Sequence, residues 1–392
     1  MGSSPISGTT IQIESCQCGI FLCLARSIIA LRHKKIPPWQ LSFLNGTNLP
    51  AFILKWMRFD IIYYMNILFC GDDGIKDGVL VAILSLLMNG RKRYDAKSGK
   101  MVVDEKMPLP IYNIYIATIN YENVKPFRAE VADYLDRLVK KYNPRSSVKL
   151  IDATDVFVKN LPKKNMGSYF TPCSMLRLFA DKMPELDKCD RILYMDYDVV
   201  CRGDISELYD TDMQGIEAAG VLDIYGRRWY HYNGLVKRGI ETSVAVAEKR
   251  ADAKEVPAVV DARVPSEREW SFLKQDYMNS GVMLFNMTEC RKTKMLERAA
   301  KLCAEKWMML ADQAALNKAI RRRKLMPRKY NEQEERPRKD TVLHHFSNNF
   351  KFWPYFRVQK VKPFEIEKIH EVLNITEYDG ILEKYIELKS NL

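Results

Sequence analysis

The chain has 392 residues, of which 47% are hydrophobic and 28% are charged, with 18 glycines and 17 prolines. This composition excludes a disordered, collagen-like or low-complexity protein, and the length allows one large domain or two ordinary ones. Lys and Arg outnumber Asp and Glu by 61 to 49, and the resulting net charge of +12 suits phosphates, nucleic acid or an anionic membrane without choosing among them.

Residues 1–64 lack the regular pattern that follows them. Their apolar stretch Gly19–Leu31 is interrupted by Arg26 and is too short for a confident membrane span, and no basic region precedes it as in a secretory signal. We expect these residues to be an N-terminal extension outside the functional fold, which starts at Met65. The alternative is a membrane anchor built from Gly19–Leu31 and Pro50–Tyr64.

From Met65 onward, short apolar runs alternate with helical patterns. The predicted strands are 66–70, Ile111–Ile119, Val148–Ile151, Arg191–Met195, Ile216–Leu222 and Gly281–Asn286, and the predicted helices are Val79–Met88, 127–142, Ser174–Ala180, Thr288–Trp307 and Ala311–Ile320. This alternation predicts an α/β fold with a mainly parallel sheet flanked by helices. We interpret Arg91–Met107 as a surface insertion and Tyr225–Lys274 as a lid or binding loop.

Two carboxylates, Asp196 and Asp198, follow the predicted strand Arg191–Met195. In an open α/β sheet the carboxyl ends of the strands form the edge where ligands bind. Paired carboxylates at this edge suit Mg²⁺ or Mn²⁺, which prefer oxygen ligands. The simpler interpretation of the motif is a solvated turn.

Three further polar groups are weaker signals when each is considered alone. Gly71, Asp72 and Asp73 follow the first strand and could accept hydrogen bonds from a ribose or base, or simply cap a helix. His344 and His345 follow an apolar run, with Lys351 beyond them, and suit a metal ligand near a phosphate. The polar side chains that could bind sugar hydroxyls are Asn279, Ser280, Asp312 and Gln313.

The order and spacing of these groups resemble the family 8 glycosyltransferases, which include bacterial galactosyl- and glucosyltransferases of surface glycans and the glycogenins. The resemblance runs from Met65 to about Trp353, and its most specific part is the segment Asp190–Tyr209, which looks like the family's metal-site motif. Later blocks match in the same order at Met278–Asn286, Asp312–Asn317 and His345–Trp353.

The resemblance implies a GT-A nucleotide-sugar-binding fold and transfer of a hexose from UDP with retention at the anomeric carbon. It implies that Asp196, Asp198 and His345 bind Mn²⁺, for which Mg²⁺ could substitute. Lys351 matches the lysine that contacts the diphosphate. The resemblance further assigns Gly71, Asp72, Asp73, Arg177, Tyr197, Asn279 and Ser280 to donor binding, and Asp223, Asp312 and Gln313 to catalysis.

Gln313 is the group closest to the face opposite the leaving group in this comparison, but an amide oxygen is a poor nucleophile. We therefore favour a front-face mechanism over a covalent intermediate on Gln313. Two departures weaken parts of the match. The family has Gly-Pro-x-Lys-Pro-Trp after its metal histidine where this chain has Asn348–Trp353, and Ala314 replaces an acid that many relatives carry.

The sequence predicts a hexosyltransferase that uses UDP-glucose or UDP-galactose and a carbohydrate or lipid-linked glycan acceptor, and it leaves the choice of hexose open. The main alternative is a non-catalytic protein that binds sugar nucleotides or glycans, and a nucleotidyltransferase is a further rival. We expect no nucleic-acid partner, because the basic residues form no recognition module.

The predicted domains are the extension 1–64, a catalytic domain 65–355, and a helical, basic and aromatic tail 356–392. Mixed basic and aromatic residues in this tail suit the surface of an anionic membrane. We therefore expect a cytoplasmic protein with peripheral contact at the inner face of the membrane. Such contact fits a role in the synthesis of cell-surface polysaccharide.

Overall fold

A seven-stranded sheet forms the centre of the described part of the chain. The computed structural model describes residues 64–166, 171–224, 276–308, 310–347 and 361–392. Residues 1–63 of the predicted extension 1–64 and the predicted loop Tyr225–Lys274 lie outside the described residues, so the expectations for them stay predictions.

Strands and helices are interspersed along the chain from its first described residue. The strands are β1 (Tyr64–Cys70), β2 (Lys92–Asp95), β3 (Lys100–Val103), β4 (Ile111–Thr118), β5 (Ser147–Asp152), β6 (Arg191–Met195), β7 (Val199–Cys201), β8 (Ala218–Leu222), β9 (Met278–Asn286), β10 (Arg323–Leu325) and β11 (Leu343–His345). The helices are α1 (Lys76–Asn89), α2 (Ala129–Tyr142), α3 (Thr154–Lys159), α4 (Ser206–Tyr209), α5 (Met287–Thr293), α6 (Met295–Glu305), α7 (Ala311–Ala319), α8 (Ile366–Lys368) and α9 (Asp379–Leu388).

The order of strands in the central sheet is β10-β8-β9-β6-β1-β4-β5. β9 runs antiparallel to both of its neighbours, β6 and β8, and all other neighbouring pairs in this sheet are parallel. The predicted α/β class, with a mainly parallel sheet flanked by helices, is therefore confirmed. β7 and β11 form a separate antiparallel pair beside the sheet.

Apolar residues cover both faces of the sheet because alternate residues of each strand point to opposite sides. On β6, Leu193 and Met195 join one buried cluster with α1, α2 and α9, while Ile192 and Tyr194 join a second cluster with α6 and α7. Burial of this kind contributes about 25 cal/mol per Å² of apolar surface, which makes the two clusters the main stabilising element.

The amino end of α1 touches the loop that follows β6. A Cβ atom added at Gly78 would lie 2.4 Å from the Tyr197 ring and 2.6 Å from the Tyr197 main-chain oxygen. Only glycine therefore allows this helix to approach the loop between Asp196 and Asp198 so closely.

The described part of the predicted tail packs on the same core. Ile381 and Leu382 of α9 belong to the cluster on the α1 face, and the Tyr385 hydroxyl donates to Asp77 of α1 at 2.7 Å. No helix within the described ranges has both the length and the apolar character that crossing a bilayer requires. The boundary between a catalytic domain and a tail at 355–356 stays a prediction.

Three local details add to the pattern expected from the sequence. Within Arg91–Met107, predicted to be a surface insertion, β2 and β3 pair as an antiparallel hairpin. The helix expected over Thr288–Trp307 is divided into α5 and α6 at Lys294, which adopts a left-handed φ of 54°. The helix predicted over Ser174–Ala180 is present and is a 3₁₀ helix that extends over Pro172–Lys182.

The Asp210 side chain gives the fold a testable pH dependence. Burial raises its pKa to about 7, although Arg191 acts in the opposite direction. Between the unfolded pKa near 3.8 and this folded value, the folded state holds a proton that the unfolded state has released, so stability falls as the pH rises. Asp210→Asn cannot ionise, and we expect it to be more stable than the unsubstituted chain at pH 8, by on the order of 1–2 kcal/mol.

Urea unfolding at pH 5 and pH 8 measures this difference. The exposed Asp133 on α2 supplies a matched control, since Asp133→Asn removes a surface carboxylate. An advantage of Asp210→Asn that is the same at both pH values would contradict the assignment.

Candidate active site

Three strands bring polar residues to one edge of the sheet. β1 and β6 are parallel, and their register pairs Leu68 with Tyr194, so both strands end at the same edge. β9 is antiparallel and pairs Val282 with Met195, so it begins where β6 ends. Ligands of open α/β sheets bind at the carboxyl edge of the parallel strands, and β9 adds its first residues to that edge.

Asp196, Asp198 and His345 come together at this edge. One ligand atom from each residue lies within 4.8 Å of the other two. His345 Nε2 lies 3.7 Å from Asp196 Oδ2 and 3.3 Å from Asp198 Oδ1. β11 pairs His345 with Val199, the residue that follows Asp198, and this register brings the histidine to the carboxylates.

The chemistry of these three residues fits a divalent cation. Asp198 Oδ1 is buried and has no hydrogen-bond partner among the described residues, although a buried polar atom normally has one. Asp196 Oδ1 accepts hydrogen bonds from Tyr194 at 2.6 Å and Arg177 at 3.1 Å, while its Oδ2 faces His345. Two carboxylate oxygens and one imidazole nitrogen suit Mn²⁺ or Mg²⁺.

Lys362 completes the charged group, whereas the sequence placed it only in the predicted basic tail. Its Nζ lies 2.5 Å from Asp198 Oδ2 and 5.0 Å from the centre of the Tyr197 ring. Burial opposes ionisation of Asp198, but the Lys362 ammonium outweighs this effect and holds its pKa well below the usual range. Lys351, the lysine assigned from the sequence, lies outside the described residues.

A signal for Lys362 was present in the sequence. The segment Lys362-Pro363-Phe364 has the Lys-Pro-aromatic order that ends the family's Gly-Pro-x-Lys-Pro-Trp block. It stands farther from His345 than the family spacing, so a search at the expected distance finds Lys351 instead.

Arg177 connects the metal-binding carboxylates to a third acid. Its Nη2 lies 3.1 Å from Asp196 Oδ1, its Nε lies 3.0 Å from Asp312 Oδ2, and its Nη1 donates to the Ser280 carbonyl at 2.7 Å. The guanidinium also lies over the Tyr194 ring at 3.8 Å. Burial raises the pKa of Asp312, and Asp196 adds to this effect while Arg177 opposes it.

Asp223, Asn279, Ser280 and Gln313 form a hydrogen-bonded group beside Arg177. Asp223 Oδ2 accepts from Asn279 at 3.1 Å and from Gln313 Nε2 at 3.3 Å. Gln313 Oε1 accepts from both the main-chain nitrogen and the hydroxyl of Ser280, at 2.9 and 3.2 Å. The structure thus gathers the sugar-binding candidates of the sequence around one carboxylate.

Gly71, Asp72 and Asp73 form the turn after β1 at the same edge. Asp72 Oδ1 accepts from the Gly74 nitrogen at 2.9 Å, which caps a 3₁₀ turn. Asp73 Oδ1 lies 3.0 Å from Arg128 Nε, and its pKa is lowered because Arg128 and Lys76 outweigh the effect of burial. Asp72 is therefore the residue that caps the turn, and Asp73 is the residue that contacts the basic side chains.

Asn331 is a second residue that the sequence analysis missed. It is fully buried, and its side chain lies between His345 Nδ1 at 3.1 Å and Asn279 Oδ1 at 2.9 Å. No motif marks it, since its partners are distant in sequence.

Gly281 provides the surface on which the His345 ring lies. A Cβ atom at this position would be 2.1 Å from His345 Cε1 and 2.7 Å from His345 Nδ1. The Gly281 carbonyl also accepts from the Asp196 nitrogen at 2.8 Å. The absence of a side chain at Gly281 therefore makes room for the His345 ring, while its carbonyl holds the main chain of Asp196.

Comparison with known proteins assigns a family. A family model described as Glycosyl transferase family 8 matches residues 66–356, well over half of the chain. A lipopolysaccharide 1,2-glucosyltransferase of Escherichia coli is 27% identical over 214 residues, which are 51% of this chain and 52% of that protein. A lipopolysaccharide 1,3-galactosyltransferase of Salmonella typhimurium is 33% identical over 104 residues, or 26% of this chain and 29% of that protein.

These alignments span at most about half of the two curated relatives. Among solved structures, a galactosyltransferase, LgtC, in complex with donor and acceptor sugar analogs is similar at 15% identity and a TM-score of 0.47. That comparison covers 84% of this chain and 100% of the other.

Gly281→Ala tests whether the packing of the His345 ring against Gly281 is needed for metal binding. The new methyl group must displace the ring from the carboxylates, and we expect Mn²⁺ binding to weaken by about 10- to 100-fold, as for other changes that reorient a metal ligand. Isothermal titration of the full chain with Mn²⁺ measures the affinity. Gly380→Ala is the control, because nothing lies within 4 Å of a Cβ atom there. Unchanged Mn²⁺ affinity in Gly281→Ala would exclude His345 as a ligand.

Proposed function

The chain belongs to glycosyl transferase family 8, and on this premise we propose that it transfers glucose or galactose from a UDP-sugar to a glycan or glycolipid acceptor with retention of configuration. The observation that carries this proposal is the meeting of Asp196, Asp198 and His345 at the carboxyl edge of the sheet. The mainly parallel sheet with flanking helices agrees with the GT-A fold that the family resemblance implies.

We assign Asp196, Asp198 and His345 as the ligands of Mn²⁺, with Mg²⁺ as a substitute. When bound, a divalent cation supplies Lewis-acid stabilisation of the charge that develops on departing UDP. The protein's own contribution is to hold these groups in place before the donor binds. Arg177 and Tyr194 occupy one oxygen of Asp196 and leave the other facing His345.

Lys362 is the cation that we assign to the diphosphate. Its contact with Asp198 supports this role, because it keeps an ammonium group beside the metal-binding candidates. A fixed cation near a departing phosphate stabilises the transition state more than the ground state, in which the charge is spread over the whole donor. Lys351, assigned from the sequence, remains the alternative.

Asp223, Asn279, Ser280 and Gln313 are proposed to hold the donor hexose. A covalent mechanism would use Gln313 Oε1 as the nucleophile, but this oxygen already accepts two hydrogen bonds from Ser280. Asp312 is buried and paired with Arg177, which makes it equally unsuitable for attack on the sugar. These contacts support front-face transfer, in which the acceptor attacks from the side that UDP leaves.

The turn Gly71–Asp73 is proposed to bind the nucleoside end of UDP. It follows β1, whose register with β6 brings it to the edge that carries Asp196. Its carboxylates can accept hydrogen bonds from ribose hydroxyls. The Cys70 thiol before this turn is buried, with a raised pKa, and lies within electrostatic reach of Arg177 and Asp196.

The names of the curated relatives support a lipid-linked acceptor. Both act on lipopolysaccharide by name, one as a glucosyltransferase and one as a galactosyltransferase. We propose a glycan of this surface-polysaccharide class and peripheral contact with the cytoplasmic face of the membrane. A non-catalytic sugar-nucleotide binder remains the second candidate, and the matched set of two carboxylates and a histidine favours catalysis over it.

Release of UDP from UDP-glucose and UDP-galactose tests the proposal, with Mn²⁺ or with excess EDTA. We expect Mn²⁺-dependent release, and Asp198→Asn should reduce it by about 100-fold or more, because the loss of an anionic ligand removes several kcal/mol of leaving-group stabilisation. Asp190→Asn, an exposed position at the opposite end of β6, is the matched control. Proton NMR of the product should show an α-linkage.

Full activity in EDTA would remove the metal from the mechanism. A β-linked product would contradict retention. Binding of UDP-sugar without any turnover in the presence of acceptors would favour the non-catalytic alternative.

Substitution of Lys362 separates the two lysine assignments. We expect Lys362→Met to lower kcat/KM for the donor by about 10²–10³-fold, as for other residues that stabilise charge in the transition state. Lys384→Met on α9, where the lysine is partly exposed and paired with Glu387, should leave kcat/KM unchanged. Loss of activity in Lys351→Met with near-normal activity in Lys362→Met would restore the assignment made from the sequence.

A further inference from the structure

Asn331 joins the two halves of the site through a chain of side-chain amides. It follows a 3₁₀ turn, Arg328–Tyr330, and has no exposed surface. One end of its amide faces His345 Nδ1 at 3.1 Å, and the other faces Asn279 Oδ1 at 2.9 Å. Asn279 in turn contacts Asp223 Oδ2 at 3.1 Å.

The direction of every hydrogen bond in this series of amides follows from one main-chain group. The Gly281 nitrogen, which only donates, lies 3.0 Å from the Asn279 side chain, so the atom that it meets is the amide oxygen. Asn279 Oδ1 therefore accepts, and the Asn331 atom facing it must be the NH₂ group. It follows that the Asn331 oxygen faces His345 Nδ1.

The contact between Asn279 and Asp223, at the other end of the series of amides, requires the same direction. With its oxygen turned to Gly281, Asn279 presents its NH₂ group to Asp223, and a carboxylate accepts such a bond. A flip of either amide would place two acceptors or two donors against each other. Both ends thus agree on one arrangement of the amides.

We infer that Asn331 is a positioning residue that keeps the proton of His345 on Nδ1 and directs the Nε2 lone pair toward Asp196 and Asp198. This inference rests on the metal site proposed above. An oxygen acceptor on the distal nitrogen is how metal-binding histidines are usually oriented, but here the acceptor is itself fixed by a second amide and a main-chain donor.

The arrangement explains why Asp198 Oδ1 has no hydrogen-bond partner among the described residues. It lies 3.3 Å from His345 Nε2, and a lone pair on that nitrogen faces a lone pair on the oxygen. A cation bound by both atoms would stabilise two acceptors at this distance. The amide chain therefore prepares the histidine to bind a metal rather than to donate to Asp198.

The main chain around Asn331 is fixed to the strand that carries His345. The residue after it, Glu332, donates from its nitrogen to Leu343 at 2.9 Å, and its carbonyl accepts from the His345 nitrogen at 2.8 Å. The Asn331 carbonyl also accepts from Gln333 Nε2 at 3.3 Å. Asn331 and His345 are thus held by the same main-chain ladder, so the amide keeps its position relative to the ring.

Titration of the full chain with Mn²⁺ in the absence of donor tests the inference. Asn331→Leu removes the acceptor while keeping the branched shape of the side chain, and we expect Mn²⁺ affinity to fall by about 10- to 100-fold. Asn331→Asp retains an acceptor for His345 Nδ1 but loses the NH₂ group that donates to Asn279, so we expect it to lose less Mn²⁺ affinity than Asn331→Leu.

Asn165→Leu is the matched control for the loss of a buried amide. Asn165 is also fully buried, and it bonds the main chain at Lys306 and Met308, at 2.8 and 3.0 Å, rather than any candidate ligand. The Asn165→Leu variant should be less stable than the unsubstituted chain but should bind Mn²⁺ with the same affinity. A loss of affinity equal to that of Asn331→Leu would show that the effect is a general one of unfolding, and would overturn the inference.

A measurement on the unsubstituted chain covers the case in which Asn331→Leu does not fold. Long-range ¹H–¹⁵N NMR of the histidine-labelled protein, loaded with diamagnetic Zn²⁺, should show His345 with the metal on Nε2 and a proton on Nδ1. Metal on Nδ1 would overturn the inference. Tight Mn²⁺ binding in Asn331→Leu would overturn it while leaving the metal site intact, whereas no Mn²⁺ binding by the unsubstituted chain would overturn both.

Discussion

The candidate site depends on Arg177, a buried cation that lies between two carboxylates. It contacts Asp196 at 3.1 Å and Asp312 at 3.0 Å, and its side chain is only 5% exposed. Burial of unpaired carboxylates costs several kcal/mol per ion, so an acidic sheet edge cannot form without a counter-charge. A planar guanidinium with five donors can bind two carboxylates and a main-chain carbonyl at once, which an ammonium group cannot do in the same geometry.

The reversed direction of β9 determines which residues share the edge with that arginine. A parallel strand at this position would have begun at the opposite edge, and Asn279 and Gly281 would have been far from Asp196. Because β9 runs antiparallel to β6, its first residues meet the last residues of β6. Asp196 therefore follows the end of one strand, and Asn279, Ser280 and Gly281 come from the beginning of its neighbour.

The sequence predicted the family, the α/β fold and the edge at which polar residues gather, because these follow from apolar periodicity and from local blocks such as Asp190–Tyr209. It did not predict that β9 runs antiparallel to its neighbours, because the continuous apolar pattern of a buried strand contains no information about the direction of the strand in the sheet. Lys362 was missed because its distance from His345 departs from the family spacing. Asn331 was missed because its role depends on two partners that folding alone brings to it.

The glycine at the start of α1 affects how this site tolerates the divergence of sequences. Gly78 meets the main chain of Tyr197 directly, so the separation between α1 and the Asp196–Asp198 loop is set largely by atoms that every residue possesses. Side chains elsewhere in the site can drift without changing that separation, provided that the glycine itself is retained. Substitution of Gly78 would shift the whole helix, including the turn Gly71–Asp73 that precedes it, relative to the metal-binding carboxylates. Gly78 is therefore a position where a substitution would change the geometry of the metal-binding loop through the helix backbone, without any direct contact to a metal-binding side chain.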